Sequence, residues 1–254
     1  MNSSTIALIT GATSGIGKAT AELFAQQGIS IIICGRRQDR LDSLTQELKG
    51  KAEVLSLNFD VSKADQVKTA IESLPEKWKN ISILINNAGN AHGLAPIQNG
   101  TLADWDAMID LNVKGLLYVT QALLPTLLAQ PKAHIINIGS IAGKEVYPNG
   151  NVYCASKHAV DALTKAIRID LNATNVKVSA IHPGLVETEF SLVRFKGDEQ
   201  RAKQVYAGYQ PLTPEDIADV IWFTVTRPAH VNIADLIILP ADQAASTIVN
   251  KKTV

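Results

Sequence analysis

The stretch Thr5-Ile6-Ala7-Leu8-Ile9-Thr10-Gly11-Ala12-Thr13-Ser14-Gly15-Ile16-Gly17 decides the fold. Its short apolar run, with Ile6 and Ile9, suits a buried strand. Gly11, Gly15 and Gly17 end that run, and a helical pattern with Ala21, Leu23, Phe24 and Ala25 follows. Strand, glycine-rich turn and helix make up the context in which a glycine motif acquires meaning. Glycines let the backbone approach a pyrophosphate, and a helix N-terminus offers free N–H groups to an anion. The order Gly-x-x-x-Gly-x-Gly differs from the commoner Gly-x-Gly-x-x-Gly, and a tight turn with no ligand would use the same residues.

The alternation continues outward from this unit. Ile29–Cys34 reads as a second buried strand bounded by Gly28 and Gly35. Helix over 39–49, strand over 52–57 and helix over 63–74 come next, with Asp60 between the last two. Ile81–Ile85 is a fourth strand closing on Asn86-Asn87-Ala88-Gly89. A long helical pattern covers 102–128, with Asn112 inside it and Pro125 expected to bend or end it. An interior asparagine is at best helix-neutral, so Asn112 calls for a hydrogen-bonding duty. His134–Ile138, with His134 read as a strand residue, leads to Gly139-Ser140, and a helix from 150 or 151 runs to about residue 173. Val176–Ile181 precedes His182-Pro183-Gly184-Leu185-Val186-Glu187-Thr188. Residues 189–210 mix charge, glycine and aromatics in the manner of a mobile helical lid, placed around 188–212. Thr213 caps a helix with Pro214 in its first turn, Leu236–Leu239 is a last strand, and 241–254 has no clear order. Strands alternating with helices throughout predict one α/β domain over 1–254, a doubly wound parallel sheet of about seven strands.

Composition narrows the function. The 254 residues carry 24 basic and 24 acidic side chains with no block of one sign, which argues against a nucleic-acid or membrane-surface partner. Cys34 and Cys154 suit reduced cytoplasmic thiols, and no Cys/His cluster has metal-ligand spacing. No apolar segment is long enough to span a bilayer. Met1-Asn2-Ser3-Ser4 has no basic leader segment, so a cytoplasmic location is expected.

The chemistry lies in Tyr153-Cys154-Ala155-Ser156-Lys157. On a helix the phenol and the ammonium share a face, one turn apart. A free tyrosine is only about 0.1 % phenolate at neutral pH. A cation about 4 Å away, at an effective dielectric of roughly 20, supplies about 4 kcal/mol toward ionising it. Tyr153 is therefore expected to act as a general acid/base with a pKa lowered by Lys157. A buried aromatic with a solvated lysine would show the same spacing. After the second strand stand Arg36 and Arg37 rather than a carboxylate, which favours a cofactor with a 2′-phosphate. Asp60 is placed to receive an adenine amino group or to cap the next helix, with Ser62 as the rival cap.

Together, Thr10 to Gly17, Asn86 to Gly89, Asn112, Ser140, Tyr153/Lys157 and Pro183-Gly184 resemble the short-chain dehydrogenase/reductase family over nearly the whole chain. The resemblance implies a Rossmann fold, an NADP(H) cofactor and a set of roles. Tyr153 exchanges the proton, Lys157 holds the nicotinamide ribose and lowers the tyrosine pKa, and Ser140 bonds the reacting oxygen. Asn112 anchors a water in a relay through Lys157. Gly11, Thr13, Ser14, Gly15, Ile16 and Gly17 line the pyrophosphate end, Arg36 and Arg37 the 2′-phosphate, Asp60 the adenine, and Asn87, Ala88 and Gly89 the adenosine side. Pro183, Gly184 and Val186 are further cofactor contacts, and Thr188 holds the carboxamide. A homotetramer packed through the helices of Asn112 and Tyr153 is also implied.

Gly35-Arg36-Arg37-Gln38-Asp39-Arg40-Leu41, the run from Pro183 to Phe190, Val193 to Gly197 and Pro228 to Asn232 resemble, more narrowly, the NADP-dependent 3-hydroxy acid dehydrogenases. These act on serine, allo-threonine and short 3-hydroxy acids. The segment Ile237 to Gln243 departs from the Val-Asp-Gly-Gly ending of ketoacyl reductases. A substrate carboxylate needs a cation, and Arg194 or Lys144 is expected to supply it. A broad carbonyl, diketone or 3-ketoacyl reductase, or a non-catalytic NADP(H)-binding regulatory protein, stands as the alternative.

Overall fold

The computed structural model describes residues 5–252, so the reading of Met1–Ser4 and the end of the tail fall outside it. Seven parallel strands form one sheet in the order β3-β2-β1-β4-β5-β6-β7. They are β1 (Ile6–Thr10), β2 (Ser30–Gly35), β3 (Val54–Asn58), β4 (Ile81–Asn86), β5 (Ala133–Ile138), β6 (Val176–Pro183) and β7 (Asp235–Ile238). The intervening helices are α1 (Gly15–Gln26), α2 (Gln38–Leu48), α3 (Ala64–Glu72), α4 (Leu102–Ile109), α5 (Leu116–Leu128) and α6 (Asn151–Asp170). After β6 come α7 (Phe190–Arg194), α8 (Glu199–Tyr206) and α9 (Pro214–Val225).

Because strand side chains alternate between faces, one run of residues builds two cores. Leu8, Ile32, Leu84, Ile135 and Val178 pack with Val67 of α3 and Leu123 and Leu127 of α5. Ala7, Ile9, Ile31, Ile33, Ile85 and Ile136 pack with α1, α2 and α9 on the other face. There Phe24 meets Trp222 edge-on, with ring centroids 5.3 Å apart. Burial on both faces explains why these strands read as unbroken apolar runs. The chain reverses direction across the sheet between β1 and β4, and a crevice opens at the carboxyl ends of the strands there.

The long helical pattern over 102–128 differs from expectation in an informative way. It is interrupted by a π-helical turn at Asp110–Gly115 that contains Asn112. Such turns add a residue to the helix and re-aim its side chains, often at functional sites. Pro125 lies within α5 and does not end it. The carbonyl that loses its N–H partner is that of exposed Gln121, where water can serve. Thr213 and Asp216 form a full capping box at the start of α9. The tail pairs Gln243–Ala245 (β8) with Ile248–Val249 (β9), which its sequence pattern did not announce. Among the described residues no helix is long and apolar enough to cross a membrane.

Candidate active site

The cofactor end is held by hydrogen bonds between the tips of β1 and β4. Thr10 Oγ1 accepts from the N–H groups of Asn87 and Ala88, both at 3.0 Å, and Asn87 Nδ2 donates to the carbonyls of Thr10 (2.9 Å) and Gly11 (3.2 Å). Gly11 has φ +66°, where a side chain is strained. A Cβ on Gly17 would collide with the Gly11 carbonyl and the Asn87 amide. The turn is thus closed tightly enough to bring bare backbone to the crevice. Ser14, the cap residue of α1, makes no side-chain cap bond, and the first turn carries no acid. Its N–H groups and the positive end of the helix dipole remain available to an anion.

Two arginines flank this turn. Arg37 Nη2 donates to Thr13 Oγ1 and Ser14 Oγ at 2.9 Å, and its Nη1 pairs with Glu189 at 3.1 Å. Arg36 pairs with Asp60 at 3.4 Å. Asp60 accepts from the backbone N–H (2.9 Å) and hydroxyl (2.8 Å) of Ser62, so it forms an Asx-turn ahead of α3 and caps neither end of it. A free helix N-terminus beside a guanidinium pair fits the phosphates of an NADP-type dinucleotide.

The reacting end sits across the same cleft, about 500 Å³ in volume, whose lining includes Gly11, Asn87, Ser140, Tyr153, Lys157, Pro183, Thr188 and Arg194. Ser140 follows β5 and starts a tight 3₁₀ turn, its Oγ accepting from the Ala142 N–H at 3.1 Å. Lys157 Nζ donates to the Ile138 carbonyl at 3.0 Å. Burial pushes the Lys157 pKa down to about 8. Asn112 Nδ2 donates to the Asn90 carbonyl (2.9 Å) and Ser156 Oγ (3.0 Å), while its Oδ1 accepts from the Asn90 N–H at 2.9 Å. The asparagine inside the helix therefore fastens α6 to the loop after β4.

Tyr153 does not have the lowered pKa expected from its spacing to Lys157. The Tyr153 pKa is raised, because burial penalises the phenolate more than neighbours favour it. The cation that opposes the rise is Arg194, whose guanidinium carbon lies 4.7 Å from the Tyr153 ring centroid; the Ser140 side chain also opposes it. The ammonium of Lys157 is turned to Ile138.

Lys144 is the second correction. Its Nζ lies 2.7 Å from Asp161 and 2.5 Å from Asp235, behind the serine loop and away from the cleft lining. Neutralised by two carboxylates and outside the cleft lining, it is not placed to meet a substrate carboxylate. Arg194 does face the cleft. It donates to the Tyr147 hydroxyl at 2.6 Å, it lies 5.2 Å from the Phe190 ring centroid, and its buried Nε has no partner among the described residues. Tyr147 and Phe190 were not anticipated as part of this wall, since neither spacing nor residue type singles them out. Glu189 was also missed: besides Arg37 it pairs with Arg40 at 2.8 Å, tying the lid to α2.

The match to the short chain dehydrogenase family model covers residues 5–198, and the chain belongs to that family. Among its relatives is the NADP-dependent 3-hydroxy acid dehydrogenase of Escherichia coli strain K12, 46 % identical over 240 residues, 94 % of this chain and 96 % of that protein. Sulfoacetaldehyde reductase 2 of Chromohalobacter salexigens is 46 % identical over 244 residues, 96 % of this chain and 97 % of that one. The closed form of serine dehydrogenase complexed with NADP⁺ superposes with a TM-score of 0.91 at 44 % identity, covering 98 % of this chain and all of that one.

Proposed function

We propose that this protein is an NADP(H)-dependent oxidoreductase acting on short 3-hydroxy acids or hydroxy-amino acids such as serine, allo-threonine or 3-hydroxypropionate. The observation that carries the substrate class is Arg194: a guanidinium held over the Tyr153 ring with a buried, unpartnered Nε. A 3-hydroxy acid places its carboxylate a short carbon chain from the carbinol oxygen, so one molecule spans Tyr153 and Arg194. Sulfoacetaldehyde, the substrate named for one relative, carries a sulfonate in the corresponding place, and the same cation serves either group.

The nicotinamide, when bound, supplies or accepts the hydride. The glycine turn and the α1 N-terminus would hold the pyrophosphate, Arg36 and Arg37 the 2′-phosphate, Asp60 the adenine and Asn87 to Gly89 the adenosine. Pro183, Gly184, Val186 and Thr188, which line the same cleft, would contact the nicotinamide end, Thr188 through the carboxamide, and Lys157 would hold the ribose. Tyr153, kept protonated at neutral pH by burial, donates its proton to the substrate carbonyl oxygen in reduction and recovers it from the hydroxyl in oxidation. Ser140 donates to the same oxygen and fixes its position. Asn112 would anchor the water of a relay through Lys157 as an acceptor, since both of its side-chain N–H groups are spent on Asn90 and Ser156. The cytoplasm and a homotetramer built through α5 and α6 belong to the same reading; exposed Leu117 and Leu128 share one face of α5.

Three substitutions test this reading. Arg194→Leu is expected to raise KM for 3-hydroxypropionate and L-serine by about tenfold to a hundredfold, the cost of a lost charge-assisted hydrogen bond. It leaves kcat/KM for an uncharged secondary alcohol within a few-fold, and Lys144→Met leaves KM for both acids unchanged. Equal losses on charged and uncharged substrates would favour a broad carbonyl reductase. Arg37→Ala is expected to raise KM for NADP⁺ about tenfold or more and to leave that for NAD⁺ nearly constant. An equal change for both cofactors would remove Arg37 from the 2′-phosphate site.

A further inference from the structure

His182 lies at the end of β6, fully buried, directly beneath the catalytic serine. Its ring fills the space beside Gly139, where a Cβ would collide with the imidazole. Its Nδ1 is 3.2 Å from the Ser140 carbonyl, which also accepts from the Gly143 N–H at 2.8 Å. The other ring nitrogen, Nε2, faces Asp235 at 3.3 Å and Asp161 at 3.6 Å without a hydrogen-bond partner among the described residues. A neutral imidazole has a single N–H. The Ser140 carbonyl can only accept, so the contact at Nδ1 places that N–H on Nδ1, where it donates to Ser140.

The charges around the ring come from three elements. Lys144, in the turn after Ser140, bonds both Asp161 of α6 and Asp235 of β7. Lys165, one turn further along α6, bonds Asp161 at 2.7 Å. Asp161 is four residues beyond Lys157 and eight beyond Tyr153, so it lies on the same face of α6. The cluster therefore spans the serine turn, the tyrosine helix and the edge strand of the sheet. Asp161, His182 and Asp235 could together ligate a cation, but the Lys144 ammonium already lies between the carboxylates. Burial and the Lys144 charge both keep the His182 pKa below its ordinary value, so the ring stays neutral at neutral pH.

We propose that His182 is a positioning residue for Ser140: its Nδ1–H holds the serine carbonyl, and the Lys144–Asp161–Asp235 cluster locks that turn to the helix carrying Tyr153. The Ser140 hydroxyl is thereby set against the Tyr153 phenol before substrate arrives. A catalytic group misplaced by about 1 Å can lose up to a hundredfold in rate, so a held carbonyl one residue deep has kinetic weight. The inference rests on the role given to Ser140 under Proposed function.

The test compares two amides. Asparagine puts its side-chain N–H where Nδ1 is, and glutamine puts it where Nε2 is. His182→Asn is expected to keep kcat within about threefold of the parent, and His182→Gln to lower it about tenfold, with KM for NADP⁺ within twofold in both. A residue needed only for packing would lose comparably with either amide, and that result overturns the proposal. On a Ser140→Ala background His182→Gln should cause no further loss, because the two act as one unit; additive losses overturn it. If Ser140→Ala alone leaves kcat unchanged, the reading of Ser140 fails; if it lowers kcat and His182→Gln does not, only this inference fails. Should His182→Gln not fold, Asp235→Asn at the partly exposed edge of the cluster takes its place. It is expected to cost about threefold in kcat with Ser140 present and nothing without it, and equal losses on both backgrounds overturn the proposal.

Discussion

Tyr153→Phe is expected to lower kcat by about 10³-fold while NADP⁺ and 3-hydroxypropionate KM values stay within a few-fold. General acid/base catalysis contributes roughly 10²–10⁴-fold. This phenol falls within that range because Ser140 and Arg194 remain to orient the substrate after the hydroxyl is gone. Phenylalanine keeps the ring against Phe190, whose centroid is 5.5 Å away, and beneath the Arg194 guanidinium, so the fold and the carboxylate contact persist. The pH profile adds a second readout. Burial raises the phenol pKa, so kcat/KM for oxidation in the parent should climb from neutral into alkaline pH as phenolate forms, and reduction should not share that climb. The residual activity of Tyr153→Phe should lack it. A residual kcat within tenfold of the parent, or an unchanged alkaline limb, would hand the proton to another group.

How much of this was legible beforehand depended on range. The strands were, because runs such as Ile31 to Cys34 and Ile81 to Ile85 are buried on both faces and the pattern is continuous over each. The glycine turn, Ser140 and the Tyr153/Lys157 spacing were legible for the same local reason. Asn112 was visible as an oddity in an apolar helix, but nothing in the residue order says that a π-turn would absorb it. Lys144 was misread because the carboxylates that claim it, Asp161 and Asp235, lie 17 and 91 residues away in sequence. The same limit hid Glu189, whose partners Arg37 and Arg40 are some 150 residues earlier. Gln243, in a tail with no readable order, is buried and accepts from the Leu185 N–H at 2.9 Å. The sign of the Tyr153 shift also escaped. Counting a neighbouring cation is a sequence-level act, whereas weighing it against desolvation requires the burial that only the fold supplies.

Lys157→Met is expected to remove most activity, about a hundredfold or more, and to abolish a pH dependence of stability that the parent shows. In the unfolded chain Lys157 titrates near the ordinary lysine value of 10.5, and in the fold burial brings it to about 8. Between those values the unfolded chain holds more protons, so stability rises with pH through that window. Below pH 8 the fold carries the full cost of a buried ammonium, and above 10.5 that cost is gone. From pH 7 to pH 10 the rise amounts to about 2–3 kcal/mol. Cys34 works against it, since a buried thiol with a raised pKa loses stability once pH passes the ordinary thiol value. Any raised tyrosine does the same near pH 10. These contributions are common to both proteins and cancel in the difference between parent and variant. Urea unfolding at pH 7 and pH 10 should therefore show the parent gaining about 2–3 kcal/mol on Lys157→Met across the interval. Methionine also forfeits the bond to the Ile138 carbonyl, a cost of about 1–3 kcal/mol that does not vary with pH and so shifts both points equally. Parallel pH curves would mean that the ammonium is solvated or paired, and then Lys157 could not be the desolvated cation that reaches the ribose beside Tyr153. A difference that moves in the parent's favour as pH rises would show a charge retained at a cost to the fold, which is the behaviour expected of a group kept for chemistry and not for packing.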